Sequence, residues 1–255
     1  LSSILISLAV VPILLSARRM PRYTTPSRVP PQELYRISPL GVLATFGAGV
    51  VQSGAYSTSG VFAARSELAV SQTSLFVLLL LLSGVAAQFP IGTLSDRFDR
   101  RRVLTAVFLL GGVVGLLAGL VPTSAVVPLL LVTALYGGLL MPIYSLAIAH
   151  TNDYLDPDQT VAASGSLILI YGVGSVFGPV LLGQLIDQTG PASFFVANGV
   201  IMLLVGSFAL YRMTRRAARP LEEQGEYVQI SPTVSSATAA SSSSEDADGA
   251  PPQTT

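Results

Sequence analysis

The stretch Gly92-Thr93-Leu94-Ser95-Asp96-Arg97-Phe98-Asp99-Arg100-Arg101-Arg102 decides how this chain is read. Six of the seven residues from Asp96 to Arg102 are charged. Two long apolar runs, 74–91 and 103–120, flank it. A single charge held at the centre of a bilayer costs about 3 kcal/mol even on the mildest scale. Six of them must lie in water, so the stretch is a short wet turn between two membrane-spanning helices.

Working outward, the rest of the chain agrees. Of its 255 residues, 51% are hydrophobic and only 11% are charged, with a mean hydropathy of +0.64. Soluble domains carry about 25% charged residues. A helix needs about 20 predominantly apolar residues to cross a bilayer. Seven stretches qualify as candidates: 1–16, 37–64, 74–91, 103–120, 126–149, 161–186 and 193–211. The chain is therefore expected to be an all-α membrane protein.

Several chemistries drop out. With no cysteine there is no disulfide and no thiol nucleophile. With His150 as the single histidine, a histidine metal cluster is not expected. Neither H-E-x-x-H nor G-x-S-x-G occurs, and no acid pair lies inside a span, so no enzyme and no cofactor are predicted. A formal net charge of zero gives no reason to expect a nucleic-acid partner.

Charge also sets the expected orientation. All 14 basic residues are arginine, and 13 of them fall on alternate loops that share one side of the membrane. These are Arg18, Arg19, Arg22, Arg28 and Arg36, then Arg97 and Arg100 to Arg102, then Arg212, Arg215, Arg216 and Arg219. The positive-inside rule makes that side cytoplasmic, and the acidic loop 151–160 weighs little against it. The expected location is the cell membrane, with the basic loops and C-terminal tail in the cytoplasm. Beyond Arg219 the chain turns rich in Ser, Thr, Ala, Pro and acids, which reads as a disordered tail over 213–255.

The opening stretch resembles the signature loop of the major facilitator superfamily, G-x-L-[SA]-D-R-x-[GD]-R-[RK], and every defined position matches. The resemblance implies a transporter fold of two six-helix halves. In that family the loop follows the second helix of a half. Two spans separate the first basic cluster from the loop's end, and four more follow. Residues 37–212 are thus expected to be the C-terminal six-helix bundle. Residues 1–17 become the end of the last helix of the preceding half, and 18–36 the cytoplasmic linker between halves. The implied activity is secondary active transport of a small organic solute by alternating access, with proton coupling. The implied partners are the solute, protons, the lipid bilayer and the missing N-terminal half. A non-transporting sensor or scaffold on the same fold, or an inactive truncated half, are the alternatives.

The resemblance also assigns roles. Gly92, Asp96, Arg97, Arg100 and Arg101 form the gating loop, with Asp96 expected to face a helix N-terminus near Ser164–Gly165. Asp153 or Asp156 could then pair with Arg100 and Arg101. The same arginines would also serve simply to set topology. Gln52, Tyr56 and Ser59 share one helical face with Thr45 and Gly49, at spacings of 3 and 4. With Tyr136 and Tyr144 they are the cavity-lining candidates, interhelical packing being the other reading. Gly174, Gly178 and Pro179 form a close-packing, hinge-capable segment, and Pro142 is expected to kink its helix. His150 is a candidate proton-sensitive group or an interfacial structural histidine. The run from Pro142 to Asp153, with Ser164 and Gly165, resembles the YcaD-like branch of bacterial transporters.

Overall fold

The computed structural model describes residues 29–215 and Tyr227. The expected helix end at 1–17, most of the linker and nearly all of the tail lie outside the described residues. The described chain is helical, in the order α1 (Pro31–Ile37), α2 (Pro39–Arg65), α3 (Val70–Arg97), α4 (Arg100–Ala118), α5 (Val126–Leu140), α6 (Pro142–Asn152), α7 (Pro157–Thr189) and α8 (Ser193–Arg215). The linker stretch therefore ends in a short helix, started by Pro31 in the first turn with Glu33 beside it.

Five segments are long and apolar enough to cross a membrane: α3, α4, α5 with α6 taken together, α7 and α8. The α2 helix has the length, at 27 residues, but a composition rich in Gly, Ser and Thr. The physical reason is burial. Sixteen of its residues are buried, because it lies along α7 and touches α6 and α8 as well. A helix surrounded by protein does not need the hydropathy that a lipid-facing helix needs. By contrast α3 and α7 turn large apolar side chains outward, among them Leu82, Phe89, Val176 and Phe177. That inside-out pattern suits a bilayer.

Three tight pairings build the bundle: α2 with α7, α4 with α8, and α3 with α5. The order of contacts gives the directions. Gly49 meets Tyr171 and Gly54 meets Gly178, so α2 and α7 run parallel. Gly112 meets Leu203 while Gly119 meets Val196, so α4 and α8 run antiparallel.

The N-terminus of α7 corrects one expectation. Asp156 caps the helix, Pro157 fills the first position, and Gln159 accepts a hydrogen bond from the Asp156 amide at 3.4 Å. These residues start the helix seven residues before Ser164. Ser164 and Gly165 are thus helix interior, with the Ser164 hydroxyl donating to the Thr160 carbonyl at 2.7 Å. No free terminus stands there for Asp96 to face.

Candidate gating turn and polar cluster

The signature turn is built from two helix ends. The α3 helix stops at Arg97, Phe98 is extended, and Asp99 caps α4 by accepting a hydrogen bond from the Arg101 amide at 3.0 Å. Asp99 also stands 3.6 Å from Arg101 and 3.7 Å from Arg102, which offsets three cations at a helix N-terminus. Arg97 is exposed.

Arg100 goes inward and is only 2% exposed. Its guanidinium lies 2.6 Å from the Asp153 carboxylate, donates to the Ala149 carbonyl at 3.3 Å, and reaches Asp96 at 3.4 Å. Asp153 is equally buried, at 4% side-chain exposure, whereas Asp96 is 36% exposed. Both acids sit at helix C-termini, Asp96 in the last turn of α3 and Asp153 at the cap of α6. A carboxylate there opposes the helix dipole, and a cation relieves it. One arginine thus serves two acids and two helix ends. The pair is not thereby a source of net stability, since burying two charges costs several kcal/mol each. Its physical meaning is dependence: removing one partner strands the other.

Beside this turn Ser38, Pro39, Leu40, Arg101, His150, Tyr154 and Arg212 line a small open cleft. His150 is buried in the last turn of α6, with its ring 5.2 Å from that of Tyr154 in an edge-on contact.

The second cluster lies at the joint between α5 and α6. Pro142 ends the regular α5 ladder, and the break falls at Met141. Gln52 of α2 crosses to this joint, its side-chain amide donating to the carbonyls of Leu140 at 2.9 Å and Met141 at 3.2 Å. The Gln52 carbonyl in turn accepts from the Tyr171 hydroxyl at 3.1 Å. Tyr171 stands edge-on to Tyr144, centroids 4.7 Å apart. The hydroxyls of Tyr56, Tyr136 and Tyr144 are buried with no hydrogen-bond partner among the described residues. Ser59 is satisfied locally, donating to the Tyr56 carbonyl at 2.9 Å. Tyr136 is fully buried, with its ring 5.6 Å from that of Phe195.

Tyr171 is the member that sequence reasoning missed. It falls three residues before Gly174 and seven before Gly178, which places all three on one face of α7. That face lies on α2. A side chain at Gly174 would strike the Phe46 carbonyl, and one at Gly178 the Val50 carbonyl. The α7 helix runs unbroken through Pro179. Proline removes the amide that would bond the carbonyl four residues back, which is that of Ser175. The Ser53 hydroxyl of α2 lies 3.0 Å from that carbonyl and 2.7 Å from its own Gly49 carbonyl, so its one proton is shared between the two. The Ser175 carbonyl thus has a donor within reach from the neighbouring helix.

A bundle of long apolar helices with a charged turn at one end defines a polytopic helical membrane protein. The family follows from comparison: residues 40–243 match the model of the Major Facilitator Superfamily, and the chain belongs to that family. It is similar to YcaD of Escherichia fergusonii, an uncharacterized MFS-type transporter, at 29% identity over 183 residues, covering 71% of this chain and 44% of that protein. It is also similar to YfkF of Bacillus subtilis, another uncharacterized MFS-type transporter, at 27% identity over 151 residues, 59% of this chain and 38% of YfkF. A third relative, YE1530 of Yersinia enterocolitica, is 22% identical over 198 residues, 76% of this chain and 48% of its own length. The chain spans less than half the length of these relatives.

Proposed function

We propose that this chain is the C-terminal half of a secondary active transporter that moves a small organic solute by alternating access, coupled to protons. One observation carries the reading: the buried Arg100, shared between Asp96 of α3 and Asp153 of α6. A transporter must hold one side shut and then release it. An ion network that loses its geometry in one step supplies such a bistable element. The distribution of arginines supports a cytoplasmic position for this end.

The Gln52 joint supports a solute site near the middle of the bundle, because interrupted helices carry the binding groups in many transporters. Its groups are neutral. The unpartnered hydroxyls of Tyr56 and Tyr144 suit a neutral or amphiphilic solute that offers hydrogen-bond acceptors. A buried hydroxyl left unpaired costs about 1–3 kcal/mol, so a solute that satisfies it gains that amount. The titrating group of the proton step lies in the other half or at His150.

The test is reconstitution of the whole protein in proteoliposomes supplied with a mixed metabolite extract. At least one solute should accumulate when a proton gradient is imposed and leak back when it is collapsed. Well-folded protein that accumulates nothing, or that turns over a solute in detergent without a gradient, would contradict the proposal.

A further inference from the structure

Tyr227 lies far down the chain from the last helix, yet it is packed against the signature turn. Its backbone amide donates to the Asp96 carboxylate at 2.9 Å. Its ring lies against Gly92, where an added Cβ would stand 2.5 Å from the ring edge. Only a residue without a side chain leaves room for it there. The ring also joins the border of the apolar core. Burial pushes its phenol above the ordinary value, with Asp96 adding to the rise, while Ser145 and Arg100 act the other way. Those four neighbours come from α3, α4 and α6, the same three helices that meet on Arg100. Tyr227 thus bridges the gating network rather than one helix.

The sequence is complementary in charge. From 220 onward the chain holds Glu222, Glu223, Glu226, Glu245, Asp246 and Asp248, and no arginine or lysine. The signature turn and the end of α8 carry Arg97, Arg100, Arg101, Arg102 and Arg212. Reach is no obstacle: the 12 steps from Arg215 to Tyr227 could span about 40 Å when extended.

We infer that Tyr227 is a built-in ligand of the signature turn, docked on Gly92 and Asp96, and that it fastens the gate until it is released. The fastening rests on the gate reading above; the docking does not. Asp96 accepts from both Arg100 and Tyr227, so Tyr227 strengthens the arrangement in which α3, α4 and α6 are joined. Opening the network then requires Tyr227 to leave.

Two readouts separate the parts. The chain has no cysteine, so Ser145→Cys gives a single thiol beneath Tyr227. Maleimide labelling of that thiol in the membrane-embedded whole protein should be slow. Adding Tyr227→Ala, which removes the ring seated on Gly92, or ending the chain after Arg219, which removes the amide bonded to Asp96 as well, should speed it at least about tenfold, which corresponds to about 1.4 kcal/mol of docking. Tyr227→Phe keeps the amide and the ring and should label slowly. Equal labelling in all four proteins would overturn the docking. Solute uptake should rise about twofold or more in the Tyr227→Ala and shortened proteins, since about 0.4 kcal/mol of released fastening gives a factor of two. Faster labelling with unchanged uptake would overturn the fastening. If the unaltered protein moves no solute, the transporter reading has failed, and labelling still decides the docking.

Discussion

At the signature end three helices meet on a buried arginine; at the opposite end four meet on a stack of aromatic rings. There Phe62 of α2, Phe76 of α3 and Phe194 and Phe195 of α8 pack with centroids 4.8 to 6.2 Å apart, and Tyr136 of α5 joins at 5.6 Å from Phe195. That end also carries an exposed ion pair, Arg65 with Asp187, at 2.5 Å. The difference is one of physics. Aromatic contacts are many, each worth about 0.5–1.5 kcal/mol, and they weaken gradually as helices slide. A buried ion pair is one strong, directional contact whose loss leaves a stranded charge. The first kind holds a shape. The second is the kind of contact that the proposed gate requires, one that is either made or lost.

The contrast is most severely strained by Asp153→Asn. It leaves Arg100 buried without its nearest counter-charge and should cost about 3–5 kcal/mol in thermal or denaturant unfolding of the detergent-solubilised protein. Unchanged stability would mean that Arg100 relocates easily and that the two ends do not differ in kind. Next comes Phe76→Ala at the opposite end. In a bilayer the water-transfer part of the loss is absent, so a value near the lower limit is expected, about 3 kcal/mol. A larger loss than that of Asp153→Asn would reverse the comparison. Smallest is Arg65→Ala, which removes an exposed contact in which both side chains are more than half open to solvent. A change of about 0–1 kcal/mol is expected, shrinking further at high salt.

Much of this was legible in the residues, for reasons that can be named. The turn at 92–102 could be read because six charges cannot enter hydrocarbon. The joint at Pro142 could be read because proline lacks an amide. The depth of Arg100 could not: a polar run reveals that a loop is wet and says nothing of which side chain turns inward. The pairing with Asp153 was within the alternatives, yet its burial came only from the convergence of three helices. The role of α2 was also hidden, since a Gly, Ser and Thr composition reads equally as a weak span or as a helix enclosed by others. The start of α7 was legible in Asp156, Pro157 and Gln159 and was outweighed by the apolar run that begins at Val161. Tyr227 lay within a stretch read by composition alone, and composition cannot locate one docking side chain.

The central claim is that the Arg100–Asp153 pair is a releasable contact and not merely a structural one. It is tested most directly by replacing both charges with apolar residues of similar size, Arg100→Met with Asp153→Leu, in the whole protein. Such a swap commonly restores or improves stability, because no charge is left buried. The account predicts a protein that is more stable than Asp153→Asn by about 3 kcal/mol or more and yet moves solute at less than about a tenth of the unaltered rate, one factor of ten being about 1.4 kcal/mol. A stable double variant that transports at the unaltered rate would contradict it.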